Sequence, residues 1–197
     1  MKIRKSFLAL SSVILAAGAL MGVAYASFTD QSKFAGSRFS VGSADLRLYN
    51  DLAGGTDAAN LVDTKPVPSY DNIYPGWIDN YLVKIYNNGT QPVTLTSNMD
   101  YLTANDPANL REYLYMEPYD WNDLDNDGVF DGESEQGISH TKKAFTAWKS
   151  TGFNFGQLDA GATKALIMRL SAGNNLTNSK MGAVGTFDFM FDSVGIY

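Results

Sequence analysis

Ile78-Asp79-Asn80-Tyr81-Leu82-Val83-Lys84-Ile85-Tyr86 alternates between two faces, Asn87-Asn88-Gly89-Thr90 follows it, and Pro92-Val93-Thr94-Leu95-Thr96 takes up the alternation again. Tyr81, Val83 and Ile85 fall on one face, and Leu82, Lys84 and Tyr86 on the other. A repeat of two is the side-chain period of a β-strand, not of a helix. Asn and Gly adopt turn conformations at little steric cost, so the intervening four residues predict a turn between two strands.

The same period recurs outward in both directions. Towards the C-terminus, Leu166, Met168 and Leu170 share a face, and Phe187, Phe189 and Phe191 oppose Asp188, Met190 and Asp192. Towards the N-terminus, Arg38-Phe39-Ser40-Val41 alternates and Ala44-Asp45-Leu46-Arg47-Leu48 alternates in the opposite phase. The break at Gly42-Ser43 predicts a bulge or bend, because one extra residue flips every later side chain to the other face. The middle of the chain departs from this rhythm. Asp106-Pro107 has the form of a helix N-cap followed by proline at the first helical position, with Leu110, Tyr113 and Leu114 at helical spacing. A second short helix is predicted over 139–149, with Ala144, Phe145 and Trp148 as its apolar face. These patterns predict an all-β protein, a single β-sandwich over residues 27–197, with a helical and acidic-loop insertion at about 104–150.

The first residues predict export. Lys2, Arg4 and Lys5 precede an uncharged run from 7 to 23, and Ala24-Tyr25-Ala26 places small residues where a signal peptidase needs them, ahead of Ser27. A membrane anchor is the alternative, since the run approaches the length that spans a bilayer; the cleavage motif favours removal of residues 1–26, and the mature protein is then expected to have no stable membrane insertion. Of 15 basic and 21 acidic residues, removal leaves 12 and 21, a net charge of −9. Such an acidic chain repels nucleic acid and anionic lipid, so neither is an expected partner. With no cysteine, stability in an oxidising compartment must come from packing, metal or assembly instead of disulfides.

Several short motifs, in order, resemble the TasA/camelysin family. They are Ala26-Ser27-Phe28-Thr29-Asp30 after the leader, Ser37-Arg38-Phe39-Ser40-Val41-Gly42-Ser43-Ala44-Asp45-Leu46, Tyr74-Pro75-Gly76 followed by Asn87-Asn88-Gly89-Thr90, and the closing Phe187-x-Phe189-x-Phe191. Ser37 stands where the family usually has Asn, Ser43 where it has Thr, and Ala160-Gly161 where it has Pro-Gly. The resemblance implies a jelly-roll β-sandwich, secreted to the extracellular matrix or cell surface, that forms homopolymeric fibres or pili of a biofilm matrix. It also implies that the mature N-terminus is a donor strand laid into a neighbouring subunit, with Ser27, Phe28, Thr29, Asp30 and Phe34 in that segment and Phe28 and Phe34 as anchors. A sandwich short of one strand offers an unpaired edge whose backbone groups an added strand satisfies; a terminus that stays disordered or folds on its own subunit is the alternative. Signal peptidase is the expected partner during export.

Asp123-Leu124-Asp125-Asn126-Asp127-Gly128-Val129-Phe130-Asp131 is the strongest local motif. Carboxylates at loop positions 1, 3 and 5 with Gly at 6 wrap a chain around calcium, so Asp123, Asp125 and Asp127, the Val129 carbonyl and Asp131 are the candidate ligands. Position 12 is Ser134 where a bidentate Glu is usual, so Glu133 or Glu135 must substitute. A solvated acidic turn is the alternative, although crowding Asp120 and these four aspartates costs repulsion that a divalent cation relieves.

Catalysis is not expected. A zinc peptidase needs about three N or O ligands, usually paired histidines, and the chain has only His140, expected at the start of the second helix. There is no thiol nucleophile and no Gly-x-Ser-x-Gly elbow. Asn88-Gly89-Thr90 and Asn175-Leu176-Thr177 are glycosylation sequons, meaningful only in a host that glycosylates exports. Trp77, Trp121, Trp148 and the tyrosines are expected mainly in packing. The expected function is therefore a secreted, polymerising structural subunit; the alternative is a monomeric, calcium-stabilised surface module that binds wall or matrix polysaccharide.

Overall fold

The structure, a computed structural model, describes residues 44–66, 68–180 and 182–195. The signal segment, its cleavage site at Ala24, Ala26 and Ser27, the donor residues and the Gly42-Ser43 break all lie outside the described residues. Among the described residues, ten strands and one short α-helix run in the order β1 (Leu46–Tyr49), β2 (Leu61–Val62), β3 (Ile78–Asn87), β4 (Val93–Asp100), β5 (Leu114–Trp121), β6 (Gln136–Ser139), β7 (Lys143–Ala144), α1 (Phe145–Thr151), β8 (Phe153–Leu158), β9 (Thr163–Ala172) and β10 (Asp188–Gly195).

All the strand pairs are antiparallel. They form a seven-stranded sheet in the order β2-β1-β3-β9-β5-β6, with β7 also on β5, and a three-stranded sheet in the order β10-β4-β8. The protein is an all-β sandwich. Its core is the set of inward faces that period two selects: Val83 and Ile85 of β3, Leu166, Met168 and Leu170 of β9, and Leu114 and Met116 of β5 meet Val93, Leu95 and Met99 of β4 and Phe153, Phe155 and Leu158 of β8. The outer face of the large sheet is covered too, where Tyr119, Trp121 and Ile167 pack with Leu52, Leu82, Phe130 and Ala165. Strand β9 lies between both clusters, which is why Ala165-Leu166-Ile167-Met168 is apolar without interruption.

Two local expectations change. Asp106 does not start an α-helix. Its carboxylate accepts from Leu110 N at 2.7 Å and Arg111 N at 3.2 Å, but only a 3₁₀ turn, Leu110–Glu112, comes after it. Asn109 there has a left-handed φ of +55°, and Leu114 already belongs to β5. The alternation of buried residues in β5, paired with β9 over seven positions, outweighs the weak helical spacing before it. The second helix starts later than expected: Ser139 ends β6, and only Phe145–Thr151 is helical, with Phe145 and Trp148 fully buried as its apolar face. The segment at 104–150 thus holds the helix and the acidic loop, and it also supplies β5, β6 and β7 to the large sheet. The Asn87-Asn88-Gly89-Thr90 segment links two strands as expected, and these belong to different sheets. Buried Asn87 braces it, donating to Gln91 O at 2.9 Å and Leu158 O at 3.0 Å while accepting from Gly89 N at 3.0 Å.

Candidate functional site: an open groove and an acidic loop

The two flanks of the sandwich differ. On the β5–β8 flank, Phe145 and Trp148 of α1 drive aromatic rings between the sheets, with Trp148 5.7 Å from Phe153 and 5.0 Å from Phe189. The His140 and Phe155 rings pack edge to face with centres 4.9 Å apart, and Lys143 Nζ donates to Gly152 O and Thr151 Oγ1. The opposite flank is open among the described residues. There the three-stranded sheet ends at β10, and a groove of about 490 Å³ separates it from β1 and β3. Its floor and walls include Leu46, Leu48, Tyr81, Ile85, Phe189 and Phe191. Ile85 is fully covered, whereas both phenylalanines stay only half-buried, because no strand of the small sheet lies beyond them among the described residues.

The free edge of β10 is well formed for pairing. It keeps unbroken register with β4 over all eight residues, from Asp188 opposite Asp100 to Gly195 opposite Val93. At about 3.4 Å per residue it offers roughly 27 Å of edge. The other edge of the same sheet, β8, is blunted: its register slips between Leu95 and Thr96, and Gly156 takes a φ of +83° at the irregularity. Burial raises the Tyr81 phenol and lowers the Lys65 ammonium; Tyr81 Oη donates to Pro66 O at 3.1 Å and Lys65 Nζ to Tyr49 O at 3.1 Å. Asp188, Asp192, Arg47 and Asp63 also line the groove.

The acidic loop lies on the other face of the large sheet. Lys84 of β3 donates to Asp123 Oδ2 at 2.6 Å and to Leu52 O at 2.7 Å, with its ammonium 5.0 Å from the Trp121 ring centre. Asp123 Oδ2 also accepts from Gly128 N at 3.2 Å. Gly128 has a φ of +76°, and a Cβ there would sit 2.5 Å from Ala53 N, so only glycine lets the loop settle on the β1–β2 connection. Of the two acids considered as substitutes at the end of the loop, Glu133 is exposed and Glu135 is buried. Glu135 accepts from Leu124 N at 3.0 Å, Asp131 N at 3.0 Å and Trp121 Nε1 at 3.2 Å. The Asp131 and Leu124 amides hold its carboxyl below the usual range. Asp131 moves the other way, raised by Asp127 first and then by slight burial and the remaining acids. Carboxylates of Asp123, Asp125 and Glu135 lie within 4.8 Å of one another, as do those of Asp125, Asp127 and Asp131. Val129 is exposed, and its amide donates to Asp127 Oδ1 at 2.7 Å.

His140 does not start a helix but succeeds β6, its Nε2 3.0 Å from Asp120 Oδ1, which Lys164 also contacts at 2.7 Å. Asn88 and Asn175 are both exposed, Asn88 donating to Asp45 Oδ2 at 2.6 Å. Trp121 and Trp148 are buried, and Trp77 packs edge-on against Tyr70 at 4.8 Å, so the three do not form one exposed aromatic platform. Sequence reasoning missed the groove and the Lys84 clamp, whose parts are far apart in the chain. Among the described residues no helix is long and apolar enough to cross a membrane. No protein-family model matches the chain, and no curated protein matches it.

Proposed function

We propose that this chain is an exported structural subunit that polymerises by strand donation into extracellular fibres, as its resemblance to the TasA/camelysin family implies. One observation carries the reading: an apolar groove lies beside an unbroken, eight-residue strand edge that has no partner strand among the described residues. Such an edge is a template for another strand, which soluble monomers normally cover, charge or distort. A strand added to β10 gains main-chain hydrogen bonds, and its alternate side chains enter the groove over Leu48, Tyr81 and Phe191. Residues 27–34 are the proposed donor. They match β10 in length and carry Phe28 and Phe34 as apolar anchors. Removal of residues 1–26 would free that segment, so export and the licence to assemble would come from one cleavage.

Deletion of residues 27–33 tests the proposal. The expected product is a folded monomer by circular dichroism and sedimentation that forms no filaments in negative-stain micrographs. Filaments of normal length from the deletion variant would refute strand donation by this segment.

A further inference from the structure

The acidic loop carries a feature that its local hydrogen bonds do not explain. The Asp123 side chain is 5% exposed. Its Oδ2 is committed to Lys84 and Gly128, but Oδ1 is buried with no hydrogen-bond partner among the described residues. A buried carboxylate oxygen without a partner forfeits its hydration, a cost that native structures rarely carry without a reason. That carboxylate faces Asp125 and Glu135, all three within 4.8 Å, and Asp125 also belongs to the group it forms with Asp127 and Asp131. Two overlapping groups of three carboxylates thus share Asp125, with Lys84 as the cation bonded to Asp123.

We infer that Asp123, Asp125 and Glu135, extended by Asp127 and Asp131, form a single site for a calcium-class divalent cation that pins the loop to the large sheet. The chemistry of the donors selects the ion. All are oxygens, with no imidazole or thiolate in the loop, which disfavours zinc. Calcium holds its ligands at about 2.3–2.6 Å, so its coordination sphere is about 5 Å across and accepts oxygens spaced as these are. Magnesium, at about 2.0–2.1 Å, needs a sphere close to 4.2 Å across and strict octahedral placement, which this set meets only by closing further. Glu135 takes the role that Ser134 cannot, and its three hydrogen bonds hold it turned into the loop. The site spans distant parts of the chain: Asp123 is tied to β3 through Lys84, and Gly128 is seated on Leu52 and Ala53. Cation binding therefore stabilises the fold as well as the loop.

The inference is independent of fibre formation and is tested on the monomeric chain. After treatment with EDTA, calorimetric titration with calcium chloride should give one site with a dissociation constant of about 10⁻⁴ M or tighter, and the thermal midpoint should rise with calcium. Magnesium should bind at least about tenfold more weakly. Asp123→Asn should abolish binding. Asp125→Asn, at an exposed position that the fold does not need, should weaken it at least about tenfold, and Glu133→Gln should leave it unchanged. Absence of saturable calcium binding up to about 1 mM, magnesium binding as tight as calcium, or an Asp125→Asn variant that binds like the parent would each overturn the assignment.

Discussion

Leu48→Asn isolates the groove from the rest of the fold. Leu48 lies on β1 opposite Ile85 and Val62, half-buried, with its side chain lining the groove. In the free subunit the open groove lets an asparagine amide there remain hydrated. The substitution then loses about half of a leucine's burial, about 1 kcal/mol, and lowers the thermal midpoint by roughly 2–4 °C for a chain of this size. In the filled groove the position is covered. The remaining apolar gain of about 1 kcal/mol is lost, and an amide without partners costs about 1–3 kcal/mol more. The assembly penalty is therefore about 2–4 kcal/mol, which raises the concentration needed for filaments about 30- to 1,000-fold. Pelleting of filaments across a dilution series, alongside a melting curve, measures both numbers. Ile138→Asn, at a 71% exposed site on β6, should change neither. Filaments at the parent concentration from a folded Leu48→Asn variant would show that the groove is not the assembly surface.

Asp106 is fully buried and bonds two backbone amides and the Arg111 guanidinium at 2.8 Å; Asp106→Ala leaves that cation unpaired and should cost about 3–5 kcal/mol, seen as a large fall in the calorimetric midpoint, and a loss under about 1 kcal/mol would contradict the pairing. Stability should also fall in acid. Asp45 is held below the ordinary aspartate value of 3.8 chiefly by Asn88 and then by Arg47, against slight burial, and Asp100 by Lys149 and the Tyr101 amide. In Asp120 burial pushes upward, but bonds from Lys164 and His140 outweigh it and leave it low. Each depressed carboxylate adds stability that is present above its unfolded value and lost as pH drops through its folded one, so the thermal midpoint should decline below about pH 4; a midpoint unchanged between about pH 6 and pH 3 would speak against these contacts.

Period two was enough to place β3, β9 and β10 and to group the side chains that share a face, because alternation is a local property of a strand. Val83 and Ile85, Met168 and Leu170, Phe189 and Phe191 all face the interior, as their spacing demands. The Asp-x-Asp-x-Asp-Gly spacing likewise marked the acidic loop. Local reasoning failed where two local signals competed. Asp106-Pro107 looks like a helix start, yet its carboxylate caps a 3₁₀ turn, and pairing with β9 makes the next segment the strand β5. Phe153 and Phe155 of β8 give too weak an alternation to read, because the strand is short and interrupted at Gly156.

By itself, then, the sequence determined the strongly alternating strands β3, β9 and β10, which of their side chains share a face, and that one loop concentrates acid. Only the tertiary structure decided which strands are neighbours, and with that the site. The groove lies where β10, the last strand of the small sheet among the described residues, faces β1 and β3 of the large one, a fact about strand order that no local window contains. Glu135 rather than Glu133 closes the acidic loop because Trp121 and two amides reach it. Lys84 meets Asp123 across 39 residues of chain. Side-chain period is set by the backbone of one strand, whereas edges, grooves and clamps are set by which distant strands share a sheet.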